Sequence, residues 1–135
     1  MKGLFIIIIL HIFIIQAVAQ IKTDTIEYTQ GDSIPTKLEG YLAYDRLLKS
    51  KRPGILLIHE QWGQDDFIRT RANELANLGY VIFAIDMYGK GVLAEDSDQA
   101  EDLTEPFYGD LKLMRERAKA GLQILRQIKK LILQK

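Results

Sequence analysis

Pro53-Gly54-Ile55-Leu56-Leu57-Ile58-His59-Glu60-Gln61-Trp62-Gly63 and Gly79-Tyr80-Val81-Ile82-Phe83-Ala84-Ile85-Asp86-Met87-Tyr88-Gly89-Lys90-Gly91 decide the fold. Each half reads as a strand that runs into a polar, aromatic loop. Ile55 to Ile58 is a continuous apolar run behind a Pro-Gly break, and Val81 to Ile85 is a second one behind Gly79. Neither run alternates between apolar and polar residues, so both strands are expected to be covered on both faces. The interval between them is long enough for a crossover helix. Strand, helix and strand then form a βαβ unit with parallel strands, in which chemistry sits at the strands' carboxyl ends. Glu60, Gln61, Trp62, Asp86, Tyr88 and Lys90 all fall there.

The flanking segments fit that centre. Phe67, Ile68, Ala72, Leu75, Ala76 and Leu78 recur at helical spacing. Asp65 or Asp66 stands ready as the N-cap, and Gly79 suits the left-handed residue that ends a helix. Upstream, Thr23, Thr25, Ile26, Tyr28 and Thr29 favour a strand. Gln30-Gly31-Asp32-Ser33 signals a turn, and Ile34 to Tyr44 reads as the return strand, with Gly40 as the place for a bulge. An antiparallel hairpin therefore precedes the parallel unit. Asp45 to Arg52, with Lys49, Lys51 and Arg52, is a charged connector.

Downstream, an acidic run holds Glu95, Asp96, Asp98, Glu101, Asp102 and Glu105. It predicts one short helix before Pro106, with Ser97 as its cap. A longer helix is expected from Asp110, with Leu111, Met114, Ala118, Leu122, Leu125 and Ile128 as its buried stripe. The end of the chain, from Ile128 to Lys135, is basic and apolar.

The composition sets limits. The chain has 135 residues, 47% of them hydrophobic and 27% charged, which is room for one globular domain. Its 18 basic and 18 acidic side chains balance, so charge draws it to neither nucleic acid nor an anionic membrane. There is no cysteine, hence no disulfide, thiolate metal site or cysteine nucleophile in these residues. Lys2, the apolar run from Gly3 to Ile15 broken only by His11, and Ala17-Val18-Ala19 have the layout of a secretory signal cleaved after Ala19. The apolar run is short of the roughly 20 residues of a membrane span. The expectation is a signal over residues 1–19, a single domain over residues 20–135, export to the periplasm or medium, and no membrane attachment after cleavage.

The ordered set formed by Pro53 to Gly63, Ile68-Arg69-Thr70-Arg71-Ala72 with Leu75-Ala76, Leu78-Gly79-Tyr80-Val81, and Asp86 to Gly91 resembles the N-terminal part of the dienelactone hydrolase family. The resemblance extends from about Pro53 to about Gln127, and the hairpin over residues 21–44 fits the family's lead-in. It implies an α/β-hydrolase fold and hydrolysis of a small carboxylic ester or lactone by a Cys-His-Asp triad, without a cofactor. Attack on the carbonyl creates an oxyanion that two backbone N–H groups stabilise. One of them would be the N–H of Gln61. Glu60 takes the place of the family's carboxylate that contacts the resting nucleophile. Trp62 and Tyr88 would line the substrate pocket. Lys90 stands where a basic residue holds a substrate carboxylate, although it lacks the two-pronged geometry of arginine.

The sequence departs from the family where the nucleophile belongs. No Gly-x-Cys-x-Gly elbow follows the long helix, and no serine version replaces it; Ser33, Ser50 and Ser97 lie in loop or turn contexts. His11 and His59 are the two histidines, and no residue matches the triad's Asp or His. The expectation is a partial α/β-hydrolase fold that ends before the elbow and is inactive by itself, because triad members work as a unit.

Plainer readings stand beside these. Glu60 is otherwise a solvated loop carboxylate, and His59 a hydrogen-bonded structural residue. Trp62 and Tyr88 otherwise cap the sheet end. His59-Glu60 lacks the second histidine of a zinc-protease motif. Gly89-Lys90-Gly91-Val92-Leu93-Ala94 matches a dinucleotide fingerprint, but the acidic run behind it repels phosphate and no helix opens there. Two rival functions remain at this level: a non-catalytic module that binds small carboxylates, and a subunit completed by a separate chain. A half-built sheet also leaves an open edge for self-association.

Overall fold

A computed structural model describes residues 19–31, 35–47 and 50–132. The expected signal with His11, the turn residues Asp32 and Ser33, Lys49 of the connector and the last three residues of the basic tail lie outside the described residues. The elements are β1 (Ile21–Gln30), β2 (Thr36–Asp45), β3 (Gly54–Ile58), α1 (Asp66–Asn77), β4 (Val81–Ile85), α2 (Ser97–Gly109) and α3 (Leu111–Ile132). They form one four-stranded sheet in the order β1-β2-β4-β3.

The hairpin and the parallel unit are both present. β1 pairs antiparallel with β2 from Ile21↔Asp45 to Gln30↔Thr36. β3 pairs parallel with β4 from Gly54↔Val81 to Ile58↔Ile85. The antiparallel pairing of β2 with β4 over Tyr41↔Ala84 to Ala43↔Ile82 joins the two halves. β2 and β4 are thus the inner strands, and all five residues of β4 are buried. Its side chains divide between the faces at the two-residue period of a strand. Val81, Phe83 and Ile85 join Leu38, Leu42, Leu125 and Ile128 on the side covered by α3. Ile82 joins Ala43, Ala72 and Ala76 on the side covered by α1. Three alanines let α1 lie close to the sheet.

β3 differs from expectation. It has one paired neighbour among the described residues, and its burial is partial, with Ile58 48% exposed. A continuous apolar run therefore marks an edge strand among the described residues, partly covered on both faces: Leu56 packs toward the α3 side and Ile55 and Leu57 toward the α1 side. Gly40 is not a bulge. The pairing runs through Gly40↔Ile26 without a break, and the missing side chain makes room for Phe83. A Cβ on Gly40 would come within 2.2 Å of Phe83 Cζ.

The helices follow their caps. Asp65 Oδ1 accepts the Ile68 N–H at 3.1 Å to start α1, and Gly79 at φ 90 follows its end. The buried stripe of α1 is narrower than expected: Ile68, Ala72 and Ala76 are buried, while Phe67 and Leu78 are 52% and 73% exposed. α2 is capped by Asp96, which accepts the Gln99 N–H at 2.9 Å, rather than by Ser97. It also continues past Pro106 to Gly109. Proline in the last turn removes one helical bond, and burial of Phe107 against the core holds that turn in place. Asp110 starts α3 as expected, with its Oδ1 accepting the N–H groups of Lys112 and Leu113 at 2.8 and 3.1 Å. The inner side of α3 carries Arg117, Gly121, Leu125 and Ile128, with Leu113, Met114 and Ile124 partly buried beside them. Leu111 is exposed and Leu122 stands outside the core cluster, so both leave the expected stripe. Among the described residues no helix is long and apolar enough to cross a membrane.

Candidate active site at the carboxyl ends of β3 and β4

The parallel register of β3 and β4 brings His59 and Asp86, the residues that follow each strand, to the same end of the sheet. Asp86 is buried and organises the loop behind β4. Its Oδ1 accepts the N–H groups of Tyr88 and Gly89, both at 2.9 Å, and its Oδ2 accepts the Glu39 N–H at 3.1 Å. Three amide donors compensate the burial of one carboxylate. Its backbone is paired with the Tyr28 hydroxyl, which accepts the Asp86 N–H at 3.2 Å and lies 3.4 Å from the Asp86 carbonyl. Burial pushes the Tyr28 phenol up to about 12, so it stays protonated at neutral pH. Arg117 of α3 closes this floor: its Nε–H donates to the Met87 carbonyl at 3.1 Å and its guanidinium to Gln30 Oε1 at 2.8 Å. Burial lowers the Arg117 pKa, and the nearby charge of Asp86 opposes that shift.

His59 is 8% exposed and both ring nitrogens are engaged. Nδ1 lies 2.7 Å from the Glu60 carbonyl, which can only accept. Nε2 lies 3.1 Å from the Met87 N–H, which can only donate. These partners assign the neutral tautomer with its proton on Nδ1. Burial also lowers the His59 pKa, against smaller opposing effects of the Glu60 carbonyl, Asp86 and Asp65. The Tyr88 ring stands edge-on to the imidazole at 4.6 Å. His59 therefore holds the structural place that was the plainer reading, and a nitrogen free for general-base work is not present on it.

The loop after β3 is pinned at each step. The Glu60 carbonyl also accepts the Gly63 N–H at 3.3 Å, the Gln61 carbonyl accepts the Tyr88 hydroxyl at 3.0 Å, and the Trp62 carbonyl accepts the Ala94 N–H at 3.1 Å. Gly63, at φ 89, pairs with Leu93, and a Cβ there would come within 2.9 Å of the Val92 carbonyl. By contrast, the Gln61 N–H has no partner among the described residues. The Glu60 side chain is exposed, with no ion pair to its carboxylate among them.

A cavity of about 240 Å³ opens at this end of the sheet. Ile58, His59, Glu60 and Gln61 from the first loop, Met87 and Tyr88 from the second, Thr104, Phe107 and Tyr108 from α2 and Met114 from α3 line it. Glu60, Gln61 and Tyr88 thus come together. Trp62 does not join them: it lines a second cavity of about 300 Å³ with Gly63, Asp65 and Phe67, on the other side of Glu60, which borders both. Lys90 lines neither. Its ammonium pairs with Glu27 and, at 3.6 Å, with Glu39, on the strands of the hairpin. Among the described residues no group of three or more His, Cys, Asp or Glu side chains is placed to hold a metal.

Sequence reasoning did not foresee the roles of Asp86, Tyr28 and Arg117, or the contribution of α2 to the cavity. Asp86 had a readable signal. An Asp two and three residues before Tyr-Gly is a side chain placed to cap its own turn. Nothing marked Tyr28 or Arg117, whose partners lie 58 and 30 residues away.

A mixed sheet with a crossover helix, and a loop site at the carboxyl ends of its parallel strands, defines an α/β protein. The chain belongs to the dienelactone hydrolase family, whose profile matches residues 38–133. Two solved structures agree. One, m3DLH, is 34% identical with a TM-score of 0.67 over 76% of this chain and 42% of its own. The other, a dienelactone hydrolase-like promiscuous phosphotriesterase from metagenomic libraries, is 29% identical with a TM-score of 0.67 over 77% of this chain and 43% of its own. The chain thus spans less than half the length of these two structures. No curated protein matches it.

Proposed function

We propose that these residues form the oxyanion side of a carboxylic ester or lactone hydrolase, and that this chain by itself does not complete the reaction. The observation that carries the reading is that Glu60 and Gln61 line one cavity while the Gln61 N–H and the Glu60 carboxylate have no partner among the described residues. A backbone N–H with no internal partner is free to stabilise the anion that forms when a carbonyl is attacked. Glu60 is placed to meet a nucleophile brought into the same cavity. Phe107, Tyr88 and Met114 supply an apolar wall for a small ester or lactone. No cysteine is present to attack, and both nitrogens of His59 are already engaged. The match to a phosphotriesterase fits the same chemistry, since attack at phosphorus also builds negative charge on oxygen.

Lys90 has no part in this reading, because two carboxylates already hold its ammonium. Amide NMR of the full chain titrated with a small unsaturated lactone tests the proposal. The account expects shifts at Gln61, Tyr88 and Thr104 while the lactone remains intact. Shifts gathered around Lys90, or none, would contradict it.

A second reading concerns assembly. β3 has one paired neighbour among the described residues and Ile58 is exposed beside it, so a strand from further polypeptide, or from a second copy, fits this edge. Sizing chromatography checks it: a monomer at every concentration excludes self-pairing. Residues 1–19 are proposed to act as an export signal, and N-terminal sequencing of the exported chain should begin at Gln20.

A further inference from the structure

We propose that His59 is a positioning residue: held between the Glu60 carbonyl and the Met87 N–H, its neutral imidazole aims the Gln61 N–H at the cavity and releases it on protonation. The inference rests on the reading of Gln61 as the oxyanion donor. The Glu60 carbonyl and the Gln61 N–H belong to one peptide unit, and in a trans peptide they point in opposite directions. A donor that fixes the carbonyl therefore fixes the amide. His59 Nδ1–H supplies that donor at 2.7 Å, and the Gly63 N–H adds a longer one at 3.3 Å. The next peptide is fixed from the second loop, through the Tyr88 hydroxyl on the Gln61 carbonyl at 3.0 Å. Met87 anchors the ring at its other end, since its N–H donates to Nε2 and its carbonyl is held by Arg117.

Protonation breaks this arrangement at Nε2; Nδ1–H can still donate to the Glu60 carbonyl, and it is repulsion from the Met87 N–H that displaces the ring and with it the peptide the ring holds. An imidazolium carries hydrogen on both nitrogens, so Nε2 would meet the Met87 N–H donor to donor. The titratable groups around the ring are Asp86 and the neutral phenol of Tyr88 from the loop after β4, Asp65 at the start of α1, the adjacent Glu60, and Arg117 of α3 behind Met87. The carboxylates favour the imidazolium, and burial disfavours it more strongly. The device is therefore set neutral at physiological pH and opens in acid.

The test is a pH titration of the full, isotope-labelled chain, followed by NMR at the His59 ring nitrogens and at the Gln61, Met87 and Phe83 amides. The expected result is one shared midpoint for His59, Gln61 and Met87, with Phe83 unmoved. A Gln61 amide that stays still while His59 titrates overturns the proposal. His59→Phe keeps the ring's bulk without its nitrogens, so at neutral pH it should move the Gln61 amide; an unmoved Gln61 would assign His59 to packing alone. If the variant does not fold, the titration decides. If the chain unfolds before His59 titrates, the ring shifts at neutral pH decide, and any form other than Nδ1–H overturns the inference. Failure of the hydrolase reading leaves these signals unchanged and appears instead in the lactone titration.

Discussion

The Nε2 of His59 accepts the Met87 N–H at 3.1 Å, so one imidazole ties the end of β3 to the end of β4. Its folded-state pKa is lowered, mainly by burial. An unfolded chain takes up a proton near the ordinary histidine value of about 6.5, before the folded chain does. Stability from this group is therefore full above that value and falls as pH drops toward the folded pKa. Urea unfolding across this range should show a loss of at most about 1.4 kcal/mol per pH unit, the slope for one proton. The His59→Phe variant should lose that slope. An unchanged slope would assign the pH dependence to other groups.

Asp86→Ala should cost about 3 kcal/mol, because it leaves the amides of Glu39, Tyr88 and Gly89 without their acceptor. Asp86→Asn keeps one carbonyl oxygen for Tyr88 and Gly89 and should cost less. Chemical denaturation of both variants checks the ranking, and equal losses would contradict it.

Gly40→Ala should destabilise by about 2 kcal/mol, since the added methyl would lie 2.2 and 2.5 Å from two ring atoms of Phe83. Phe83→Leu removes the ring and with it the clash. In a double-mutant cycle the combined loss should be smaller than the sum of the two single losses. Simple additivity would mean that the two residues do not meet.

Lys90→Gln should leave both the denaturation midpoint and the lactone-induced NMR shifts unchanged. Its ion pairs with Glu27 and Glu39 are exposed and screened by salt. Loss of the lactone shifts in this variant would restore Lys90 to the site.

Much of this arrangement was legible in the sequence because its signals are local. Asp65 and Asp110 cap helices through their own next turns, and the apolar runs of β3 and β4 mark the parallel pair. What escaped depends on contacts across the chain. The apolar run of β3 does not say whether a second strand lies beside it, so its exposure could not be read. Pro106 looked like a helix stop because the burial of Phe107, which holds the last turn, is a tertiary fact. The loop positions of Glu60, Gln61 and Tyr88 gave their common wall, since parallel strands deliver their ends to one place. Trp62 was expected at that wall from its place in the loop, and Lys90 from the family resemblance. Trp62 faces a different cavity, and the charge of Lys90 is taken up by two acids 63 and 51 residues away.

The central proposal is that the cavity lined by His59, Glu60, Gln61 and Tyr88 is part of an ester hydrolase site whose attacking group is not among these 135 residues. The most direct measurement is the steady-state hydrolysis of a nitrophenyl ester and a dienelactone by the purified full chain. The account predicts no turnover above the buffer rate, and no change on Glu60→Ala. Turnover that Glu60→Ala abolishes would contradict it.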